Sequence, residues 1–172
     1  RSEIAQQDKW RIEDIYATDE AWEADYNECI RRAKEKCAYQ GRLAESALIL
    51  YQALKESDEA DLLVEHVYVY AFMKYYEDTA NAVYQEMSGR AQAAVTKLSE
   101  KYAFLTPEIL AIDQKKMQEY LNSDTLALYR HALEDILAKK EHALSEKEER
   151  LLAMAGQVTA SPNEIFSKFN NA

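Results

Sequence analysis

Between Asp61 and Leu105 the chain carries its most apolar run and, directly after it, its cleanest amphipathic one. Leu62, Leu63, Val64, Val67, Val69, Phe72 and Met73 make the stretch from Leu62 to Tyr76 apolar nearly all round. A helix apolar on every side must be covered on every side, so this stretch predicts a central buried helix over about 58–76. Beyond it, Ala80, Val83, Tyr84, Met87, Ala91, Ala94, Val95, Leu98, Tyr102 and Leu105 advance in steps of three and four, the spacing of one helix face. The pattern predicts a bend at Glu77-Asp78-Thr79 and a long one-faced partner over about 79–105.

The flanking segments follow the same logic. Residues 1–17 read as an arm, with Trp10, Ile12, Ile15 and Tyr16 apolar among charges. Thr18 offers an N-cap, and Asp19, Glu20 and Glu23 sit where the positive end of a helix dipole favours acids. Trp22, Tyr26, Cys29, Ile30, Ala33 and Cys37 mark the buried stripe of the helix that follows, and Gly41 is placed to end it. A shorter helix is expected from Ser46 to Lys55, presenting Ala47, Leu48, Leu50, Tyr51 and Leu54, with Ser57-Asp58 breaking it and capping the central helix. Thr106-Pro107-Glu108 signals a restart with proline at the first helical position, and a kink is expected near Asp113. Ser123 or Asp124 begins another helix, in which Leu126, Tyr129, Leu133, Ile136 and Leu137 face inward. Ser145-Glu146-Lys147-Glu148 and Ser161-Pro162-Asn163-Glu164 are two capping boxes opening the last two helices, the first ended by Gly156.

The fold class expected is all-α: seven to eight helices joined by short links, leaning antiparallel around the central pair. Composition agrees. Only three glycines and two prolines occur in 172 residues, so few turns are encoded, and 48% hydrophobic content supports a real core. No repeat appears at the roughly 33- to 47-residue periods of solenoids.

Charge narrows the partners. A formal net charge of −10 argues against nucleic acid, which needs a basic stripe. Val67 to Met73 is the longest wholly apolar run, far short of the ~20 residues of a bilayer span, so no membrane partner is expected. No signal-peptide pattern opens the chain, and a start on Arg1 rather than Met suggests a trimmed N-terminus. Cys29 and Cys37, on one expected helix, would stand about 12 Å apart, too far to bridge, and read as two reduced core-side thiols of a cytosolic protein.

Candidate chemistry is sparse. Zinc held on a helix by a hydrolase needs two histidines four apart with a glutamate between them, and His66, His131 and His142 have no such partners. A di-iron bundle needs Glu-x-x-His, yet Leu63, Leu128 and Lys139 stand three residues before the histidines. His131 and Asp135 lie one turn apart and can orient each other, a surface pair rather than half of a metal or catalytic site; unchanged activity after His131→Ala would dismiss the latter. His66, inside the apolar run, is expected to be a neutral core residue, and His142 to belong to the turn before a capping box. No phosphate-binding or nucleophile-elbow motif occurs. Tyrosine is the oddity at 12 copies, five between Tyr68 and Tyr84, suited to a core edge or to a groove wall. By chemistry alone the segment has no catalytic, metal or cofactor-binding residues.

The order of motifs resembles a known family. Trp10 to Tyr16, Trp22, Tyr70-Ala71, Glu77-Asp78-Thr79-Ala80-Asn81 and Tyr84-Gln85 look like the N-terminal region of oligoendopeptidase F, a zinc metallopeptidase family related to thimet oligopeptidase. Phe104-Leu105, Pro107 to Leu110, His142 to Ser145, Glu148-Glu149, Leu151 to Ala153, Ser161-Pro162, Ile165-Phe166 and Asn170 to Ala172 continue the series. The family's HExxH zinc helix and its further glutamate ligand have no counterpart here.

The resemblance implies a division of labour. The parent enzyme would be a cytoplasmic zinc endopeptidase hydrolysing oligopeptides, its zinc polarising the scissile carbonyl and the HExxH glutamate activating water. Residues 18–172 would be its helical N-terminal lobe, one wall of the substrate channel, truncated before the catalytic domain and inactive alone. Its partner would be the remainder of the polypeptide. A lobe cut free should expose apolar surface and self-associate through Tyr or Phe residues of the C-terminal helices. The rival reading is a free-standing helical module whose tyrosine-rich surface binds a protein or peptide.

Overall fold

The computed structural model describes Ala5 and residues 10–142, of Glu141 and His142 the backbone only. Among these residues there are six α-helices and three short 3-10 segments, and no strand. The two capping boxes and last two helices expected from the sequence lie outside the described residues, as do Phe166 and Phe169 of the C-terminal helices expected to mediate self-association. One compact unit runs to Leu133, and a second begins at Glu134.

Helix α1 spans Asp19–Lys34, and its Thr18 cap is as expected: the hydroxyl oxygen accepts from the Ala21 amide at 3.3 Å. The helix stops seven residues before Gly41, contrary to the sequence reading. Glu35 turns extended, which swings Cys37 inward to be buried outside the helix. Burial of one more apolar side chain overrides the continuing local helix pattern. Gly41 sits in the loop at φ 81°, a backbone conformation that suits glycine.

Helix α2 runs unbroken over Ala47–Glu77, merging two expected helices into one of about 46 Å. Ser46 caps it by accepting from the Ile49 amide at 3.2 Å. The expected break at Ser57-Asp58 does not occur. Ser57 is buried inside the helix, and the Asp58 carboxylate accepts from the Tyr129 hydroxyl at 2.7 Å instead of capping. The propensity cost of these two residues, about 0.5 kcal/mol each, is outweighed by burying Leu50, Ala53, Ala60, Val64 and Val67 around them.

The bend falls at residues 78–81. Asp78 accepts from the Ala80 amide, and Asn81 caps helix α3, Ala82–Tyr102, by accepting from Val83 at 2.9 Å and Tyr84 at 3.4 Å. Met87, Ala91, Ala94, Leu98 and Tyr102 are buried as the stripe required, and Ser88 joins them; Ala80 and Val83 are exposed. Helix α4, Leu105–Ala111, starts two residues before Pro107, which its first turn tolerates because that amide needs no partner. Asp113 ends the continuity outright and caps α5, Gln114–Leu121, by accepting from the Lys115 and Lys116 amides. A 3-10 stretch, Asp124–Tyr129, leads into α6, Arg130–Ala138, with Leu126, Tyr129 and Leu133 buried.

The core lies where α1, α2 and α3 meet. Trp22, Cys29, Val67, Ala71, Ala91, Ala94 and Leu98 are at most 1% exposed, and Ile12 and Tyr16 of the arm join the same cluster while Trp10 is 74% exposed. Trp22 Nε1 donates to the Val67 carbonyl at 2.8 Å, joining the first turn of α1 to α2.

Candidate functional site

Polar side chains between the three long helices form a set of closed pairs. The Tyr70 hydroxyl donates to Asp19 Oδ1 at 2.8 Å, and Lys74 reaches the same carboxylate while lying 5.1 Å from the Tyr70 and Tyr84 ring centres. Burial opposes ionisation of Asp19, yet the bonds from Lys74 and Tyr70 outweigh it and hold the carboxyl below its usual range. Arg90 of α3 pairs with Glu23 of α1 and lies over Trp22 and Tyr26, 5.2 and 4.2 Å from the ring centres. At the far end of α3, Lys101 donates to the Arg32 carbonyl and to Glu56, which also accepts from the Tyr102 hydroxyl at 2.9 Å. Tyr16 and Tyr129 donate to Asp25 and Asp58, each at 2.7 Å.

Burial first, and the bonded carboxylate second, pushes the Tyr16, Tyr70, Tyr102 and Tyr129 phenols well above their ordinary range. They are held neutral as donors, which suits pins between helices rather than proton carriers. Glu28, bonded by Arg31 and Arg32, is lowered to about 2. Burial raises the Cys29 thiol to about 11, so it stays protonated near neutral pH. Cys29 and Cys37 are both free and buried.

The sequence reading missed Glu108. Its carboxylate accepts from the Gly41 amide at 2.9 Å and the Leu43 amide at 2.8 Å, fastening the α1–α2 loop to α4. An isolated glutamate after a proline gave no sign of a partner some 65 residues away.

The two histidines whose side chains are described lie on different helices. His66 is exposed on α2, not a core residue, because the helix turns Val64, Val67, Tyr70 and Ala71 inward and leaves this position outside. His131 is exposed on α6, as is Asp135. No group of three His, Cys, Asp or Glu side chains among the described residues could hold a metal ion. An open pocket of about 520 Å³ beside the ends of α1 and α3 is lined by Glu35, Lys36, Cys37, Gln40, Glu100 and Phe104, among others. Its Lys101 is already committed to Glu56 and the Arg32 carbonyl.

The tyrosine-rich segment divides between core and surface. Tyr70 is core and Tyr84 packs against it. Tyr68, Phe72, Tyr75 and Tyr76 form a chain of ring contacts on the outer side of α2, with Tyr68 stacked on Phe72 at 4.1 Å and Tyr75 5.3 Å from Tyr76. Tyr76 is 72% exposed and Leu62, on the same side, 58%. The expectation that α2 is covered all round therefore fails: large apolar side chains stand open on its outer face. No helix among the described residues is long and apolar enough to cross a membrane.

Comparison with known proteins places this architecture. The family model described as Oligopeptidase F matches residues 108–172. Over its whole length the chain is 40% identical to oligopeptidase PepF of Bacillus subtilis and 39% identical to an oligoendopeptidase F homolog of Lactococcus lactis subsp. lactis. The chain corresponds to an N-terminal region of the oligoendopeptidase F family. It spans 26% and 29% of the lengths of those two relatives. The crystal structure of oligoendopeptidase-F from Enterococcus faecium superposes with a TM-score of 0.71 at 30% identity, over 86% of this chain and 29% of that one. A crystal structure from Chlamydophila abortus shares the fold, with a TM-score of 0.76 at 24% identity over 96% of this chain and 28% of that one.

Proposed function

We propose that this chain is the helical N-terminal lobe of a cytoplasmic zinc endopeptidase that hydrolyses short peptides, and that zinc and the reactive residues are carried by polypeptide outside these 172 residues. The observation that carries the reading is the 40% identity over the full chain to a peptidase of which it spans only 26%. The pairs Lys74–Asp19, Arg90–Glu23 and Lys101–Glu56 support it, since they tie the long helices to one another as a scaffold. In this reading the lobe forms one side of a channel that admits oligopeptides and excludes folded proteins, and residues 10–17 are pinned to it through Ile12 and Tyr16. The two free, buried thiols fit a reducing compartment.

The test is to express the full-length gene product beside the 172-residue chain and measure bound zinc and cleavage of a fluorogenic oligopeptide. The full-length protein is expected to hold one zinc and to lose cleavage on chelation, and the shorter chain to show neither property. Stoichiometric zinc with peptidase activity in the shorter chain would overturn the proposal.

A further inference from the structure

The outer face of α2 changes character along its length. Asp61 and Glu65 line its first part beside Leu62 and His66; Val69, Phe72 and Tyr76 form its second, flanked by Tyr68 and Tyr75. Successive steps of three and four keep Leu62, Val69 and Tyr76 on one line of roughly 21 Å. No cation lies within ion-pair reach of Asp61 or Glu65 among the described residues, whereas Glu56, on the same helix, has Lys101. Burial, with Asp58 and Glu65 close by, raises the Asp61 carboxyl, as expected of an acidic edge with no counter-charge. Large apolar side chains left open to water mark a place for a partner, and the two acids beside them offer positions for its cations.

We propose that this face, from Asp61 to Tyr76, seats an amphipathic helix of the full-length polypeptide's own remaining part, its apolar side over Phe72 and Tyr76 and its Lys or Arg residues over Asp61 and Glu65. The inference rests on the lobe reading above. Two observations select this occupant. The relatives carry more than two-thirds of their length outside the region this chain matches, so polypeptide is at hand to cover the face. The face also belongs to one unbroken helix, which a second helix can pack against ridge into groove, whereas an extended peptide requires a cleft.

The test is hydroxyl-radical footprinting of the full-length gene product, read residue by residue by mass spectrometry. It is run at two protein concentrations, with and without a saturating oligopeptide substrate. Phe72 and Tyr76 are expected to be oxidised about tenfold more slowly than the same residues in the digested protein, whatever the concentration or peptide. Rapid oxidation of both under all conditions would overturn the proposal. Protection only at high concentration would assign the face to a second copy, and protection only with peptide would assign it to substrate; either also overturns it. Phe72→Glu in the full-length protein should restore rapid oxidation of Tyr76 while the helical circular dichroism is kept. Loss of zinc and peptidase activity from the wild-type full-length protein would instead defeat the functional proposal, and the footprint is read independently of it.

Discussion

The two faces of α2 are both rich in apolar side chains and meet opposite surroundings. Inward, Ala53, Ala60, Val67 and Ala71 are at most 1% exposed, and Ser57 is nearly as deep. Outward, Leu62 and Tyr76 are more than half exposed and Phe72 stacks on Tyr68 rather than on the core. Depth of cover separates the faces more clearly than composition does. The inner face sets Ala53, Ala60 and Ala71 among Leu50, Val64, Val67 and Tyr70, and Trp22, Met87 and Leu98 pack with it in the core. The outer face finds no such filler among the described residues. A long run of apolar residues therefore identifies what needs covering, while only the fold shows which side is filled from within.

Removing the filler should be the largest blow. Trp22→Ala vacates the centre of the α1–α2–α3 junction and removes the indole bond to the Val67 carbonyl. A loss of about 3–5 kcal/mol is expected from the urea unfolding midpoint of the 172-residue chain. A loss below about 1 kcal/mol would mean that α2 is not held from its inner side as described.

Overfilling the inner face tests the depth of that cover. Ala60 is fully buried on the inner face of α2, so Ala60→Leu forces its neighbours apart and should cost about 1–3 kcal/mol by the same titration. A neutral or stabilised variant would show that a void, not close packing, lies beneath that position.

The same contrast explains what could be read from the sequence. The stripe on α3 was legible because a one-faced helix states its burial in its own spacing, and Met87, Ala91, Ala94, Leu98 and Tyr102 all lie where that spacing put them. The bend was expected at Glu77-Asp78-Thr79 and falls at residues 78–81, because Asp78 and Asn81 act locally, each accepting from amides two or three residues on. Three features were not legible. Ser57-Asp58 carry a local stop signal that distant packing overrules; Cys37 is pulled inward out of the helix pattern; Glu108 reaches a loop from the far side of the α2–α3 pair in sequence. His66 was misplaced for the reason that defines the outer face: an apolar neighbourhood in sequence does not ensure an apolar neighbourhood in space. The absence of reactive spacing among the histidines was readable directly, whereas the use of tyrosines as neutral pins needed the coordinates.

Those pins make the inner side sensitive to alkali. The phenols of Tyr16, Tyr70, Tyr102 and Tyr129 are raised above their ordinary value of 10.0 in the folded chain. Below pH 10 folded and unfolded chains keep the same protons and the pins contribute in full. Above it the unfolded tyrosines ionise while the folded ones stay protonated, so stability falls as pH rises. Urea midpoints measured from roughly pH 8 to 11 should decline at the upper end, and Tyr70→Phe should flatten part of that decline. A midpoint unchanged across the window would exclude the tyrosines as buried donors.

The smallest effect is expected on the outer face, and it carries the most information about what that face is for. In the 172-residue chain Tyr76 touches Phe72 and Tyr75 at the surface, so Tyr76→Ala should move stability by no more than about 0.5 kcal/mol. In the full-length protein the same substitution would remove a side chain from a packed helix contact, where truncation of a buried aromatic costs about 3–5 kcal/mol. The difference between the two losses measures cover that the 172 residues do not themselves provide. Equal small losses in both proteins would leave the large outer residues without a packing role. An equal large loss in both would mean that the outer face already has a filler inside this chain, and the contrast between the two sides of α2 would disappear.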